Sequence, residues 1–214
     1  MIINKNKLLN IVLLLSSMLT FGCSTPIAPM QSNKGTVINY HTNYRISKLT
    51  KSQKKIGAVK ATDGTVTING IPFFVQGDDN TCGQASITSI LNYWGVSIDY
   101  QTVINESNWS NGATDLEVLK AYLINKGLRV NLHQQSNLDT LKAIIRTGKP
   151  PIVLLDFGKL SIEHYVIVSG YNETKKTILI NDPRNQANMS MNETDFNNKW
   201  QNKSLGNLFI FGNK

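Results

Sequence analysis

The chain has 214 residues, 41% of them hydrophobic, which is enough for a substantial core but leaves little room for two full domains once an export segment is set aside. Its net charge of +8 suggests a nucleic-acid partner until the charges are placed along the chain, for no acidic residue precedes Asp63. Two basic residues lie at Lys5 and Lys7, and seven more (Lys34, Arg45, Lys48, Lys51, Lys54, Lys55, Lys60) lie between Cys23 and Thr62, so the remainder is nearly neutral. The basic arm offers no aromatic platform beyond Tyr40 and Tyr44, which argues against nucleic acid as a partner.

The positive start at Lys5 and Lys7, the apolar run Leu8 to Phe21 and the pair Gly22-Cys23 have the layout of a secretory signal, too short for a membrane span. Leu19-Thr-Phe-Gly-Cys23 resembles a bacterial lipoprotein box, in which cleavage precedes a cysteine that takes lipid; Thr20 and Phe21 depart from the usual box, so ordinary cleavage or a retained anchor is the alternative. The expected organisation is a signal at 1–22, a lipidated basic tether at 23–64 and one globular domain at 65–214. A tether of this charge favours an anionic membrane surface, or is simply a solvated linker. With Cys23 lipidated, Cys82 has no disulfide partner, and an unpaired thiol in an oxidising compartment calls for a reason.

Thr65-Val-Thr-Ile-Asn-Gly70 alternates like a short strand, and Ile71 to Gln76 leads into the loop Gly77-Asp-Asp-Asn-Thr81. A helix is predicted to open at Cys82 and to stop at Gly95, followed by a short helix near Tyr100 to Asn105. Thr114-Asp-Leu-Glu117 has the form of a capping box for a helix ending at Gly127. Asn137 or Asp139 can cap a fourth helix that runs to Arg146, before the strand Ile152 to Phe157. His164 to Gly170 and Thr177 to Asn181 read as two strands of a hairpin, and Leu208-Phe-Ile-Phe211 as a strand closing the sheet. Helices first and strands later predict an α+β fold with segregated layers.

Cys82 at a helix start has backbone N–H groups and the positive end of the helix dipole beside it, and both favour thiolate. Gly83 adds no side chain to obstruct a carbonyl, and the Cys82 N–H can point at an oxygen that becomes anionic. Gln76, six residues earlier, is a candidate second donor, since a neutral amide donates without competing as a base. Of the three histidines, His41 lies in the arm and His133 reads as a surface or core residue. His164 opens a strand and is the candidate base. Asp182 can orient it through the other ring nitrogen, with Asn181 as rival; alternation along a strand allows only one of the two to serve.

Gln76-Gly-Asp-Asp-Asn-Thr-Cys82-Gly-Gln-Ala85, Ile90-Leu-Asn-Tyr-Trp-Gly95, His164-Tyr-Val-Ile-Val-Ser-Gly170 and Asn181-Asp-Pro183 together resemble the bacteriocin-processing, double-glycine peptidase family of papain-like cysteine peptidases, over about residues 70–214. The resemblance implies a papain-like fold, with the cysteine at a helix N-terminus packed on an antiparallel sheet that carries the histidine. It implies Cys82 as nucleophile, His164 as base, Asp182 as orienter and Gln76 in the oxyanion hole, with cleavage after a Gly-Gly leader in the best-known members. Those members belong to ATP-driven exporters, whereas this chain has no Gly-x-x-x-x-Gly-Lys motif and no bundle of long apolar spans. Peptidase chemistry on an exported protein or leader is therefore the expectation, with a secretion system as a further candidate partner. Acyl transfer, cleavage of a cell-wall amide and an inactive binding module are the alternatives. No cofactor or metal is implied, because the histidines and Cys82 form no ligand pattern. The expected location is the bacterial cell envelope, on a membrane facing the periplasm or the exterior.

Overall fold

The computed structural model describes residues 57–77, 80–107, 115–158, 163–200 and 209–214. The signal, Cys23, nearly all of the expected tether, Thr114 and Leu208 lie outside them. The described part begins with an antiparallel hairpin of β1 (Ala58–Lys60) and β2 (Thr65–Ile68), with Val59 opposite Thr67. Its turn is closed by Ala61 N to Thr65 O at 2.7 Å, and Asp63 Oδ1 accepts from Thr65 N at 3.0 Å. Ordered structure thus starts before residue 65, within the stretch expected to be tether. The Asp63-Gly64 pair is the turn signal for this hairpin, but β1 is largely exposed and carries too few apolar residues to announce a strand.

Three helices follow, α1 (Cys82–Tyr93), α2 (Tyr100–Ser107) and α3 (Leu116–Asn125), then β3 (Arg129–His133) and α4 (Leu138–Arg146). The chain finishes with β4 (Ile152–Asp156), β5 (Glu163–Asn172), β6 (Thr177–Asn181), β7 (Met189–Asn192), α5 (Glu193–Trp200) and β8 (Phe209–Asn213). The cap of α3 is Asp115, which accepts from Val118 N at 2.8 Å, one residue later than a box built on Thr114. Asn137, not Asp139, caps α4 by accepting from Thr140 N at 2.9 Å.

Among the described residues the strands form one eight-stranded sheet in the order β1-β2-β5-β4-β8-β3, with β6 on β5 and β7 on β6, and every pair is antiparallel. The α+β class stands, with two refinements. β3 interrupts the helices and α5 returns after the strands, and β8 lies between β4 and β3 instead of closing an edge. Among the described residues β3 pairs only with β8, and it is half-buried, so its alternation is weak; α5 is polar apart from Phe196 and Trp200, its two buried anchors one turn apart.

Helices cover both faces of the central strands. Ile152, Leu154, Tyr165 and Ile167 pack with Cys82, Ile87, Ile90, Leu91, Leu119 and Leu123 of α1 and α3. The alternate residues Val153, Leu155, Val166 and Val168 pack with Leu141 and Ile145 of α4 and with Phe196 and Trp200 of α5. Strands buried on both faces read as unbroken apolar runs, which is why β4 and β5 stand out in the sequence. On the α4 side, buried Lys142 pairs with Glu173 at 3.2 Å and with Glu193, tying α4 to the β5–β6 turn and to α5.

β5 is the shared strand: β4 pairs with its first half, β2 with its last residues and β6 with residues from Ile167 onward. The register with β6 shifts by one residue between Val168 and Gly170, a β-bulge at Ser169. At Gly170 a Cβ would lie 2.3 Å from the Val66 carbonyl oxygen of β2. Gly170→Ala must therefore push β2 away, and we expect a loss of about 1–3 kcal/mol, as for overpacking elsewhere, read as a lowered denaturation midpoint. A midpoint equal to wild type would show that β2 yields freely.

Candidate active site

Cys82 is the first residue of α1, a helix buried almost throughout. Small residues make this burial workable, and two of its hydroxyls bond back within the helix: Thr88 donates to Gln84 O at 2.7 Å and Ser89 to Ala85 O at 3.0 Å, while Ser86 Oγ is buried with no partner among the described residues. Gly83 has a packing role that its sequence position did not disclose. A Cβ there would come within 3.2 Å of Leu119 and 3.4 Å of the Tyr165 ring, so its absence lets the start of α1 press against β5. The Cys82 thiol, in a residue only 7% exposed, accepts from Tyr165 N at 3.5 Å.

His164 precedes Tyr165 near the start of β5, opposite Leu155 of β4. Ile167 pairs with Asn181 at the end of β6, so continuing that register sets Asp182 opposite Val166, on the same face as His164. His164 Nε2 and Asp182 Oδ1 are 2.6 Å apart, with both residues 2% exposed. Asn181 faces away, and its Oδ1 accepts from Asn188 N at 2.9 Å. Of the two rivals, the structure brings Asp182 to the imidazole.

A carboxylate can only accept, so the hydrogen between Asp182 and His164 belongs to Nε2. Nδ1 is buried with no hydrogen-bond partner among the described residues. It is the ring nitrogen that Asp182 leaves for Cys82, and thiol and imidazole each favour the other's charged form. Burial opposes charge on every member of this row. It raises the Cys82 pKa, but His164 and the N–H groups of Tyr165 and Gly83 outweigh it and hold the thiol below its ordinary value. It would lower His164, yet Asp182 and Cys82 push the imidazole up to about 9. Asp182, in turn, is held below the usual carboxylate range despite burial, by His164, Asn185 and the Arg184 N–H. Both shifts lean toward a thiolate–imidazolium pair.

Gln76 lies on the loop between β2 and α1, and its N–H donates to Pro183 O at 3.0 Å. That bond ties the Gln76 loop to the turn just after Asp182. His133 is elsewhere, on β3 at the far side of the sheet, its ring 5.3 Å from that of Phe211. Cys23 and His41 are outside the described residues. Among the described residues no three His, Cys, Asp or Glu side chains gather as metal ligands.

Several contributors escaped the sequence. Asn185 Nδ2 donates to Asp182 Oδ2 at 2.6 Å, and Arg184 N donates to Oδ1 at 2.9 Å, so the carboxylate is held at both oxygens. The turn is closed by Asn185 N to Asp182 O at 2.9 Å; the run Asp-Pro-Arg-Asn is its visible signal. Phe157 meets His164 edge-on at 5.9 Å between ring centroids while remaining 39% exposed, an apolar surface beside the imidazole.

A cysteine at a helix start, set against a strand-borne histidine and an acid from the next strand, is the arrangement of papain-like cysteine peptidases. Residues 68–205 match the model of the Peptidase_C39 like family, and the chain belongs to that family. Three solved structures share its fold. The peptidase domain of Streptococcus ComA, a bi-functional ABC transporter involved in a quorum sensing pathway, has 18% identity and a TM-score of 0.56, covering 67% of this chain and 98% of that one. A double glycine motif protease from an AMS/PCAT transporter, solved in complex with the leader peptide, has 24% identity and a TM-score of 0.54, covering 75% and 100%. A C39-like peptidase from Bacillus anthracis has 17% identity and a TM-score of 0.56, covering 70% and 98%. No curated protein matches the chain.

The ion pair predicts how the thiol reacts. Iodoacetamide should alkylate Cys82 with a half-rate pH well below the roughly 8.5 of a free thiol. His164→Ala, which removes the charge that holds the thiol down, should move that midpoint upward. An ordinary thiol titration in the folded wild type would count against the pair.

Proposed function

We propose that this chain is a cysteine peptidase that cleaves peptide bonds of an exported protein or leader, with the bond after a Gly-Gly pair as one candidate site. The observation that carries this is the buried row Cys82, His164, Asp182, in which Asp182 accepts the Nε2–H hydrogen bond and leaves Nδ1 to the thiol. The thiolate attacks the scissile carbonyl carbon, and the C=O electron pair moves to oxygen. The Cys82 N–H and the Gln76 amide receive that oxyanion. Collapse breaks the C–N bond as His164 gives its Nδ1 proton to the leaving amine. Water then attacks the thioester, losing a proton to the same nitrogen; the acid leaves and the ion pair is restored. Support for a leader substrate comes from family membership and from the fold neighbour solved with a leader peptide bound.

Mass spectrometry of products from Gly-Gly leader peptides, with amine acceptors and cell-wall fragments in parallel, tests this reading. Hydrolysed peptide is expected, abolished by Cys82→Ala and reduced on the order of 10²–10³-fold in kcat by Gln76→Ala, the loss typical of one oxyanion donor. Because His164 must be protonated to release the amine, kcat/KM should fall as pH rises through about 9; on the acid side it should fall once pH drops through the lowered Cys82 pKa. Transfer adducts instead of acids, or cleavage confined to wall amides, would replace the peptidase reading, and wild-type turnover in Gln76→Ala would remove Gln76 from it.

We further propose that the mature protein is a lipoprotein of the bacterial cell envelope, held by lipid on Cys23 and facing the periplasm or exterior. The apolar signal, Gly22-Cys23 and the acid-free arm support it. Lipid contributes about 0.8 kcal/mol per buried CH₂, while attraction of the basic arm fades within roughly 8 Å at physiological salt. High-salt washing of membranes should leave the wild type bound, and Cys23→Ser should be released or persist as uncut precursor. Release of the wild type by salt alone would overturn the lipid anchor.

A further inference from the structure

Phe157 is the one aromatic among the large apolar side chains that the described residues leave exposed, and it stands beside the imidazole. It is held there. Asp156 Oδ1 accepts from Gly158 N at 2.7 Å, and Gly158 takes the left-handed φ of 78° that lets the chain turn directly after the ring. Leu155 pairs with His164 and side chains alternate along β4, so Phe157 falls on the face that carries His164. The Lys199 ammonium of α5 lies 5.3 Å from the phenyl centre, and among the described residues no carboxylate pairs with it.

The strand tells the two sides of the imidazole apart. Val168 N donates to Pro151 O, on the edge of β5 that β4 occupies. Backbone N–H groups alternate edges along a strand, so Tyr165 N, three residues earlier, points to the opposite edge, where it reaches the Cys82 sulfur. Asp182 arrives from β6, on that same opposite edge. His164 is thus bracketed: nucleophile and acid stand on the β6 side of β5, and Phe157 on the β4 side. The phenyl lies across the imidazole from the sulfur, not over the His164–Asp182 bond, where a shield would sit. When the scissile bond breaks, the acyl half stays on sulfur and the amine half departs toward the proton on Nδ1. The leaving nitrogen comes within about 3 Å of that atom, so the first leaving residue (P1′) has Phe157 as the surface beyond the imidazole.

We propose that Phe157 is a specificity-determining residue, the floor of a subsite that takes an apolar P1′ side chain, and that Lys199 turns cationic side chains away from it. This rests on the peptidase reading and narrows its substrate class to bonds followed by a residue such as Leu or Phe. Digestion of a peptide mixture randomised on both sides of the bond, with cut sites read by mass spectrometry, needs no assumption about what precedes the bond. Wild type should cut before large apolar residues. Matched peptides should show kcat/KM roughly tenfold higher for P1′ Leu than for P1′ Gly, the discrimination of a modest apolar contact, and lowest for P1′ Lys. Phe157→Ala should bring the Leu-to-Gly ratio to within about twofold of one, Phe157→Leu should keep it, and Lys199→Gln should raise P1′ Lys relative to Gly. A phenyl that only packs against His164 would instead lower every peptide in Phe157→Ala by one factor and leave the ratio where it was. That outcome, or a wild type indifferent to P1′, would overturn the proposal, and the second requires no variant to fold. Cuts that ignore P1′ leave the peptidase reading standing, whereas a mixture left whole by wild type sinks both.

Discussion

The register of β5 is the constraint on which the site depends. The first residues of this strand carry the imidazole and the N–H that reaches the thiol, while its middle sets the pairing with β6 that delivers the carboxylate. Side chains alternate along a strand, so a slip of one residue against β6 would present Asn181 where Asp182 belongs. Burial on both faces forbids that slip. Tyr165 and Ile167 would exchange places with Val166 and Val168, and each face is filled to fit its own set. Core packing and catalytic geometry are one specification here, written in the same few residues.

The electrostatics follow from that placement. Three ionisable groups in a row are taken out of water, and burial alone would neutralise them all. Each group is drawn back toward its charged form by a partner of opposite tendency, and the row ends in a carboxylate held by a turn. Asn185 and the Arg184 N–H do for Asp182 what Asp182 does for His164. The bond from Gln76 N to Pro183 O carries the same turn across to the Gln76 loop, so the acid and the backbone at Gln76 are tied to one short segment.

How much of this could be read in the sequence divides along physical lines. Strands β4 and β5 and helix α1 are legible, since a doubly buried strand is a continuous apolar run and a helix start beside a cysteine leaves a local signature. His164 is legible because it begins such a run. The choice of Asp182 over Asn181 is not, since it depends on a register that only pairing with β5 sets. Phe157 meets an imidazole seven residues on and nothing in its own neighbourhood marks it, while Asn185 acts through the closure of a turn of which only the run Asp-Pro-Arg-Asn is visible. β1, β3 and α5 escape for the opposite reason: they are edge or polar elements, whose stability is lent by the sheet they join.

The bulge at Ser169 has a consequence for chain length. Val168 opposes Ile180 and Gly170 opposes Leu179, so Ser169 is surplus to the ladder. Removing it would leave an unbroken antiparallel pairing, with His164 and Asp182 still in their present relation and β4 undisturbed. Removing any residue between His164 and Val168 would carry the imidazole to the wrong face. A one-residue deletion in this strand is therefore accommodated at the bulge, on the far side of Val168 from the histidine.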